Sequence, residues 1–371
     1  MQTIVYVVSR LSNSGPTNQL FNLIANLNRE RFSPILLVLS KTRHHEIDMT
    51  KKFQTLNVKV LVFEQQGRTR YFSVRREIRK LVGDSDLGIV HSQGLRPALV
   101  ASIAVPKDKH IHTVRNNPEI DYPNHYGQVK GHLLAATHWL LMRKTRTVAC
   151  SHYVQTTLAK KGVHSECIQN GVDVEKFHKP SRQERKKARE ELDLPLDVLI
   201  FVSVSTLTER KNFFRHLSAF RQLLQSPHTP DGIIHLVVGG GPLEQELRTV
   251  HQSKNVIFLG EQMSAVKALH ASDAFVSASI GEGLPNAVLE AQSSGLPLIL
   301  SDIPPHREIA GDDAEVFDPY SVQSIENAFR RFVYKSDNRR TTHQELSGDS
   351  STRFSSATNA KKYEELYNAS Q

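Results

Sequence analysis

The chain has 371 residues, 39% hydrophobic and 23% charged, which is enough for two domains that each bury a core. No apolar run reaches the roughly 18 residues of a membrane span. The two cysteines, Cys150 and Cys167, make neither a disulfide framework nor a metal set, which fits a reducing cytoplasm. Charge is uneven: Lys and Arg number 26 against 13 Asp and Glu in residues 1–180, but 21 against 25 in residues 181–371. The basic excess of the first half suggests an anionic partner, whether a membrane surface, a phosphorylated substrate or nucleic acid.

The opening "MQTIVYVVSR" lacks a basic n-region and a small-residue cleavage site, so it reads as a buried strand and not a signal peptide. Short β-branched runs then alternate with longer amphipathic ones: "NQLFNLIANLN", "SPILLVLS", "LGIVHS", "HIHTV" and "TVACS". This is the rhythm of a parallel sheet with helices on both faces. A charged stretch at 181–195 reads as a solvated helix with Lys186/Glu190 and Lys187/Glu191 pairs. The rhythm restarts with "DVLIFVSVS", "IIHLVVGGG", "NVIFLG", "DAFVSAS" and "LPLILSD". Two doubly wound, Rossmann-like α/β domains are expected, 1–175 and 176–345, followed by a terminal segment, 346–371.

Ligands of open α/β sheets sit beyond the carboxyl ends of the strands, so the loops there carry the functional reading. In "GEGLPNAVLEAQSSG" Pro285 suits a first helical position, which leaves Glu282 in the loop and Glu290 in the second helical turn. The first-turn N–H groups of Asn286 and Ala287 would favour a phosphate, and each carboxylate can accept two hydroxyl hydrogen bonds from a sugar. Arg210 and Lys211, at a strand-to-helix junction, suit a departing diphosphate. The triplet in "HLVVGGGPLEQEL" permits close backbone approach but is not a G-x-G-x-x-G fingerprint, which argues against a nicotinamide cofactor. Gly15 either opens the first loop toward a ligand or serves an ordinary turn. His112, Thr113 and Arg115 end a strand ahead of a loop that carries Asp121; a lone histidine is more often structural, but this one is well placed.

These residues carry a resemblance. The segment 198–309, with "ERKN", "VVGGGPLEQEL", "NVIFLG", "EGLPNAVLE" and "SDIPPHREI", resembles the donor-binding domain of the family 4 retaining glycosyltransferases of GT-B fold. The hinge "QNGVDVEKF" and the loops "VHSQGLRP" and "HTVRNN" are similar to the family's, and "SSATNAKKYEELYNAS" is similar to its last helix, which crosses back onto the first domain. Many members place an Arg a few residues ahead of the Lys, where this chain has Thr206 and then Arg210. The resemblance implies that Glu290 holds the ribose and Glu282 the transferred sugar, with Lys211 and Arg210 on the diphosphate. It further implies that Gly283, Leu284, Asn286 and Ala287 touch sugar and phosphate, that Glu261 and Gln262 receive the nucleobase, and that Gly15 and His112 approach from the first domain.

The expected activity is transfer of a hexose or N-acetylhexosamine from a nucleotide sugar, most simply a UDP-sugar, to an acceptor hydroxyl on a lipid-linked glycan, as in surface-polysaccharide assembly. No cofactor or metal is expected; the "DSD" at Asp84–Asp86 precedes its strand, at the wrong end for a ligand. A sugar-nucleotide epimerase of the same fold would need an acid/base set that the loops do not supply. A nucleic-acid binder would need stacking aromatics or a reading helix. The basic stretch 67–83, with Arg68, Arg70, Arg75, Arg76, Arg79 and Lys80 around Phe72, Ile78, Leu81 and Val82, is either a surface helix or an electrostatic anchor on an anionic cytoplasmic leaflet.

Overall fold

The computed structural model describes residues 1–44, 46–63, 69–83, 88–227, 229–230, 232–311, 314–338 and 353–369. The chain divides into two compact units, Met1–Gly171 with Phe354–Gln371, and Val172–Arg353. The division falls a few residues ahead of the boundary read from the hinge sequence.

The first unit holds seven parallel strands: β1 (Gln2–Val8), β2 (Phe32–Val38), β3 (Lys59–Val62), β4 (Ile89–Gln93), β5 (His110–Val114), β6 (Arg146–Ala149) and β7 (Ser165–Cys167), in the order β3-β2-β1-β4-β5-β6-β7. Residues of β4 and β5 are buried throughout, as expected where helices cover both faces. The helix Ser356–Asn368 belongs to this unit: the Tyr6 and Tyr367 hydroxyls lie 3.0 Å apart, His91 Nδ1 is 2.7 Å from Tyr367 Oη, and Thr113 Oγ1 is 2.9 Å from Tyr363 Oη. Burial raises the Tyr367 phenol and lowers the His91 imidazole, so both are neutral at pH 7.

The second unit holds β8 (Ile200–Val204), β9 (Ile234–Val238), β10 (Val256–Gly260), β11 (Ala274–Ser277), β12 (Leu298–Ser301) and β13 (Glu315–Phe317), parallel, in the order β10-β9-β8-β11-β12-β13. Its core stacks Phe201 edge-on against Phe220 and Phe329, with centroids 6.1 and 5.1 Å apart. Both sheets reverse direction of winding once, between β1 and β4 in the first and between β8 and β11 in the second. These are the switch points where loops diverge and leave room for ligands.

Three expectations are corrected. The helix Arg182–Glu190 is solvated on its Lys face only: Lys186 and Lys187 reach Glu190 and Glu191 at 3.7 and 3.9 Å, whereas Arg189 is buried against Asp273 at 2.8 Å. Arg189 also donates to the carbonyls of Ala271, Leu196 and Val198, which satisfies a cation that burial would otherwise expel. Pro285 is the N-cap and not the first helical residue, its ψ of 113° keeping it extended. Asp121 sits on a helix, Pro118–Tyr126, because Asn117 caps the N–H of Glu119 and Pro118 starts the turn. Arg68 and Asp84–Asp86 lie outside the described residues, and none of the described helices is long and apolar enough to cross a membrane.

Candidate active site

The loop after β8 is held open by the glycine turn after β9. A Cβ on Gly239 (φ +135°) would lie 1.9 Å from the Ser205 carbonyl oxygen, and one on Gly241 (φ +153°) 2.6 Å from that of Leu207. Only glycine permits this approach, which lets Leu207 N donate to Gly240 O at 2.9 Å. Past it, a single helical turn, Glu209–Lys211, ends at Asn212 in the left-handed region (φ +59°). Asn212 is buried and its amide donates to Ala278 O at 3.2 Å and Pro319 O at 2.7 Å, tying the β8 loop to the loop after β11.

That tie brings three charged groups together across the switch point. Arg210 reaches Glu282 Oε2 at 2.9 Å and also donates to Gly281 O, while Lys211 Nζ meets Glu282 Oε1 at 2.5 Å. Glu282 is only 7% exposed. Burial pushes its carboxyl up, but Lys211 and Arg210 outweigh it and hold the group at about 2. The cluster carries two cations and one anion, so it presents a net positive charge beside the start of the helix Asn286–Ser293. The three groups bond to one another, as a buried carboxylate needs partners.

Gly283 and Leu284 are buried in the loop that leads into that helix, Asn286 and Ala287 open it half-exposed, and Glu290 is half-buried on its second turn. Glu261 and Gln262 follow β10 and are exposed, with Gln262 donating to Leu259 O at 2.7 Å. Two groups escaped the sequence reading. Asn212 is signalled only by its place after "ERK", and His306, fully buried, bonds Ser301 O at 2.9 Å and Ser277 Oγ at 3.3 Å. Burial lowers its imidazole to about 4, against the raising pull of Glu282. A half-open hollow lined by Ser203, Ser205, Lys211, Ser277 and Ser279 measures about 10 Å³, room for one water.

In the first unit His112 is not presented to a ligand. It has no exposed surface, and its ring nitrogens meet Ser92 Oγ at 2.9 Å and His138 Nε2 at 2.8 Å. It points into the layer beside β4 because it lies inside β5, not at its end; burial lowers it to about 4. Gly15 opens the helix Gly15–Ala25 and adopts no left-handed conformation. At the β1/β4 switch point lies a hollow of about 210 Å³ lined by Ser9, Arg10, Ser14, Thr17 and Gln93. Gln93 Nε2 and Arg10 Nε are buried there without a hydrogen-bond partner among the described residues. Arg115, just past β5, donates to Gln93 Oε1 at 3.3 Å and Asn170 Oδ1 at 2.5 Å. No group of three or more His, Cys, Asp or Glu among the described residues is placed to hold a metal.

Two parallel-sheet, Rossmann-like units of these strand orders make up the GT-B architecture. Residues 13–176 match Glycosyltransferase Family 4, and residues 184–345 match the Glycosyl transferases group 1 family. HepE of Anabaena, solved in complex with UDP and glucose, superposes with a TM-score of 0.81 at 17% identity over 100% of both chains. The O-antigen biosynthesis glycosyltransferase WclY of Escherichia coli is 28% identical over 98% of each chain. A UDP-Gal:alpha-D-GlcNAc-diphosphoundecaprenol alpha-1,3-galactosyltransferase of the same species is 36% identical over 37% of this chain and 36% of its own. The chain belongs to the family 4 glycosyltransferases, and its activity is glycosyl transfer.

Proposed function

We propose that the protein transfers a hexose or N-acetylhexosamine from a UDP-sugar to an acceptor hydroxyl on a lipid-linked glycan, with retention of anomeric configuration and without a metal ion. The observation that carries this reading is the Arg210–Glu282–Lys211 cluster at the β8/β11 switch point. A departing UDP gains negative charge on its diphosphate, and a preorganised pair of cations stabilises that charge more in the transition state than in the ground state. Glu282 stays ionised at neutral pH, so it cannot act as a general acid; it orients the two cations and accepts from sugar hydroxyls when they arrive. Glu290, one helical turn beyond the positive helix start, takes the ribose hydroxyls. Retention follows the family's course.

The UDP preference is supported by the HepE complex and by the UDP-galactose relative, and the lipid-linked acceptor by that relative's diphosphoundecaprenol substrate. The hollow at β1/β4, lined by Ser9, Arg10, Ser12, Ser14, Thr17 and Gln93, offers polar groups to the acceptor side. Such an acceptor places the enzyme at the inner face of a membrane, held peripherally by the basic first half. Thermal unfolding against UDP-, GDP- and ADP-sugars tests the reading. A ligand at 100 times its Kd stabilises the fold by about 2.7 kcal/mol, so the UDP series should raise the midpoint. A response to GDP- or ADP-sugars with none to UDP would overturn the donor assignment.

A further inference from the structure

We infer that the outward face of the helix Gln128–Met142 is a bilayer-contact surface, which inserts apolar side chains among anionic lipid headgroups. The helix is built as half of a hairpin with Pro118–Tyr126, joined at Gly127 (φ +79°). The two approach so closely that a Cβ on Gly131 would lie 2.4 Å from Pro123 Cα. Gly131, Ala135, His138, Trp139 and Met142 form the buried face. The opposite side should then be polar, yet Val129, Leu133 and Leu140 are 89, 69 and 60% exposed, and Ala136 is exposed with them. Positions 129, 133, 136 and 140 fall on one stripe of a helix. The neighbouring helix Leu95–Ala104 adds exposed Leu99 and Ile103.

Charge identifies the occupant. Between Asp121 and Glu166 the sequence contains no Asp or Glu and six Lys or Arg. Lys130, Arg143 and Lys144 are exposed beside the stripe, and the Lys130 ammonium stands 5.6 Å from the centre of the exposed Tyr126 ring. An apolar stripe flanked by cations, with an aromatic at its end, matches the layering of an anionic membrane interface. At 15 residues the helix is about 22 Å long, short of a hydrocarbon core, so it lies in the plane of the surface. The helix Thr69–Val82 supplies further charge through Arg76, Arg79 and Lys80, with Phe72 70% exposed, but its Ile78 and Val82 are buried in the core. Insertion therefore belongs to the 128–142 helix, and binding has a component that salt does not remove.

The inference rests on the reading above only for the membrane location of the acceptor, and the test separates the two. The full chain is floated with vesicles of phosphatidylcholine alone or containing phosphatidylglycerol, at low and high salt. Wild type should bind the anionic vesicles and keep part of that binding at high salt. The triple variant V129S/L133S/L140S should lose the salt-resistant part by at least about tenfold, the scale for withdrawing buried aliphatic side chains. Its stabilisation by UDP should equal that of wild type. A second variant, Leu133→Trp, guards against misfolding: Trp139, the sole native tryptophan, is buried, so the new indole reports on position 133. Its emission should shift to the blue on anionic vesicles and be quenched by brominated lipid. Unchanged emission, wild-type flotation of the triple variant, or a stripe consumed in a self-associated dimer would overturn the inference. Loss of the UDP response in wild type would instead strike the donor assignment.

Discussion

Glu282→Gln keeps the shape of the buried side chain and removes its charge, leaving Arg210 and Lys211 facing an amide. The wild-type carboxyl is held at about 2 against an ordinary 4.5, and that difference corresponds to roughly 3 kcal/mol of folded-state stabilisation. Removing one partner of a buried ion pair costs a similar amount, about 3–5 kcal/mol. The sign follows from the depressed folded value: the contribution is full above about 4.5 and is lost as pH falls toward 2. At pH 7 the variant should be less stable than wild type by about 3 kcal/mol, and the gap should narrow to about half near pH 3. Urea unfolding followed by far-ultraviolet circular dichroism at pH 7, 5 and 3 measures the gap. Amide exchange of the β8 and β11 peptides at pH 7 assigns it to the second unit. Equal stability at pH 7, or a gap that persists undiminished at pH 3, would refute the pairing argument.

Lys211→Ala and Glu290→Ala should each abolish transfer while circular dichroism stays native, since Glu282 retains Arg210 and Glu290 is only half-buried; near-normal turnover in either would remove the proposed donor contacts. Transfer should survive EDTA, and strict dependence on added Mn²⁺ or Mg²⁺ would contradict the metal-free reading. Tyr367→Phe leaves the buried His91 Nδ1 unpaired and should cost about 1–3 kcal/mol in urea unfolding, with UDP binding unchanged. Gly239→Ala forces a Cβ against the Ser205 carbonyl and should weaken UDP stabilisation or the fold itself, whereas Gly311→Ala, with open space at its Cβ, should melt as wild type does.

The strands that could be read from the chain are the long β-branched ones, such as β1 and β8, because burial on both faces demands an unbroken apolar run. β3, β7 and β13 escaped: they are three or four residues long, and all three lie at sheet edges, where polar and exposed residues break the pattern. Lys211 and Glu282 were legible as loop residues beyond strands, and the Glu282/Glu290 spacing followed from the helix start between them.

The residue types and their local order sufficed for two doubly wound units, a glycine-made turn and a charged loop after β8, since propensity and periodicity act over a few residues. What no local pattern could decide was partnership. Lys211 and Glu282 are 71 positions apart and meet because β8 and β11 are neighbours in the sheet order. His112 looked like a strand-end ligand group, but the register that sets it beside Ser92 buries it. The 128–142 helix spreads its apolar residues over more than one side in sequence, and only the packing of its hairpin determines which of them are left facing water. Strand order, register and helix docking are set by the summed burial of the whole core, a global quantity that appears only once the chain is folded.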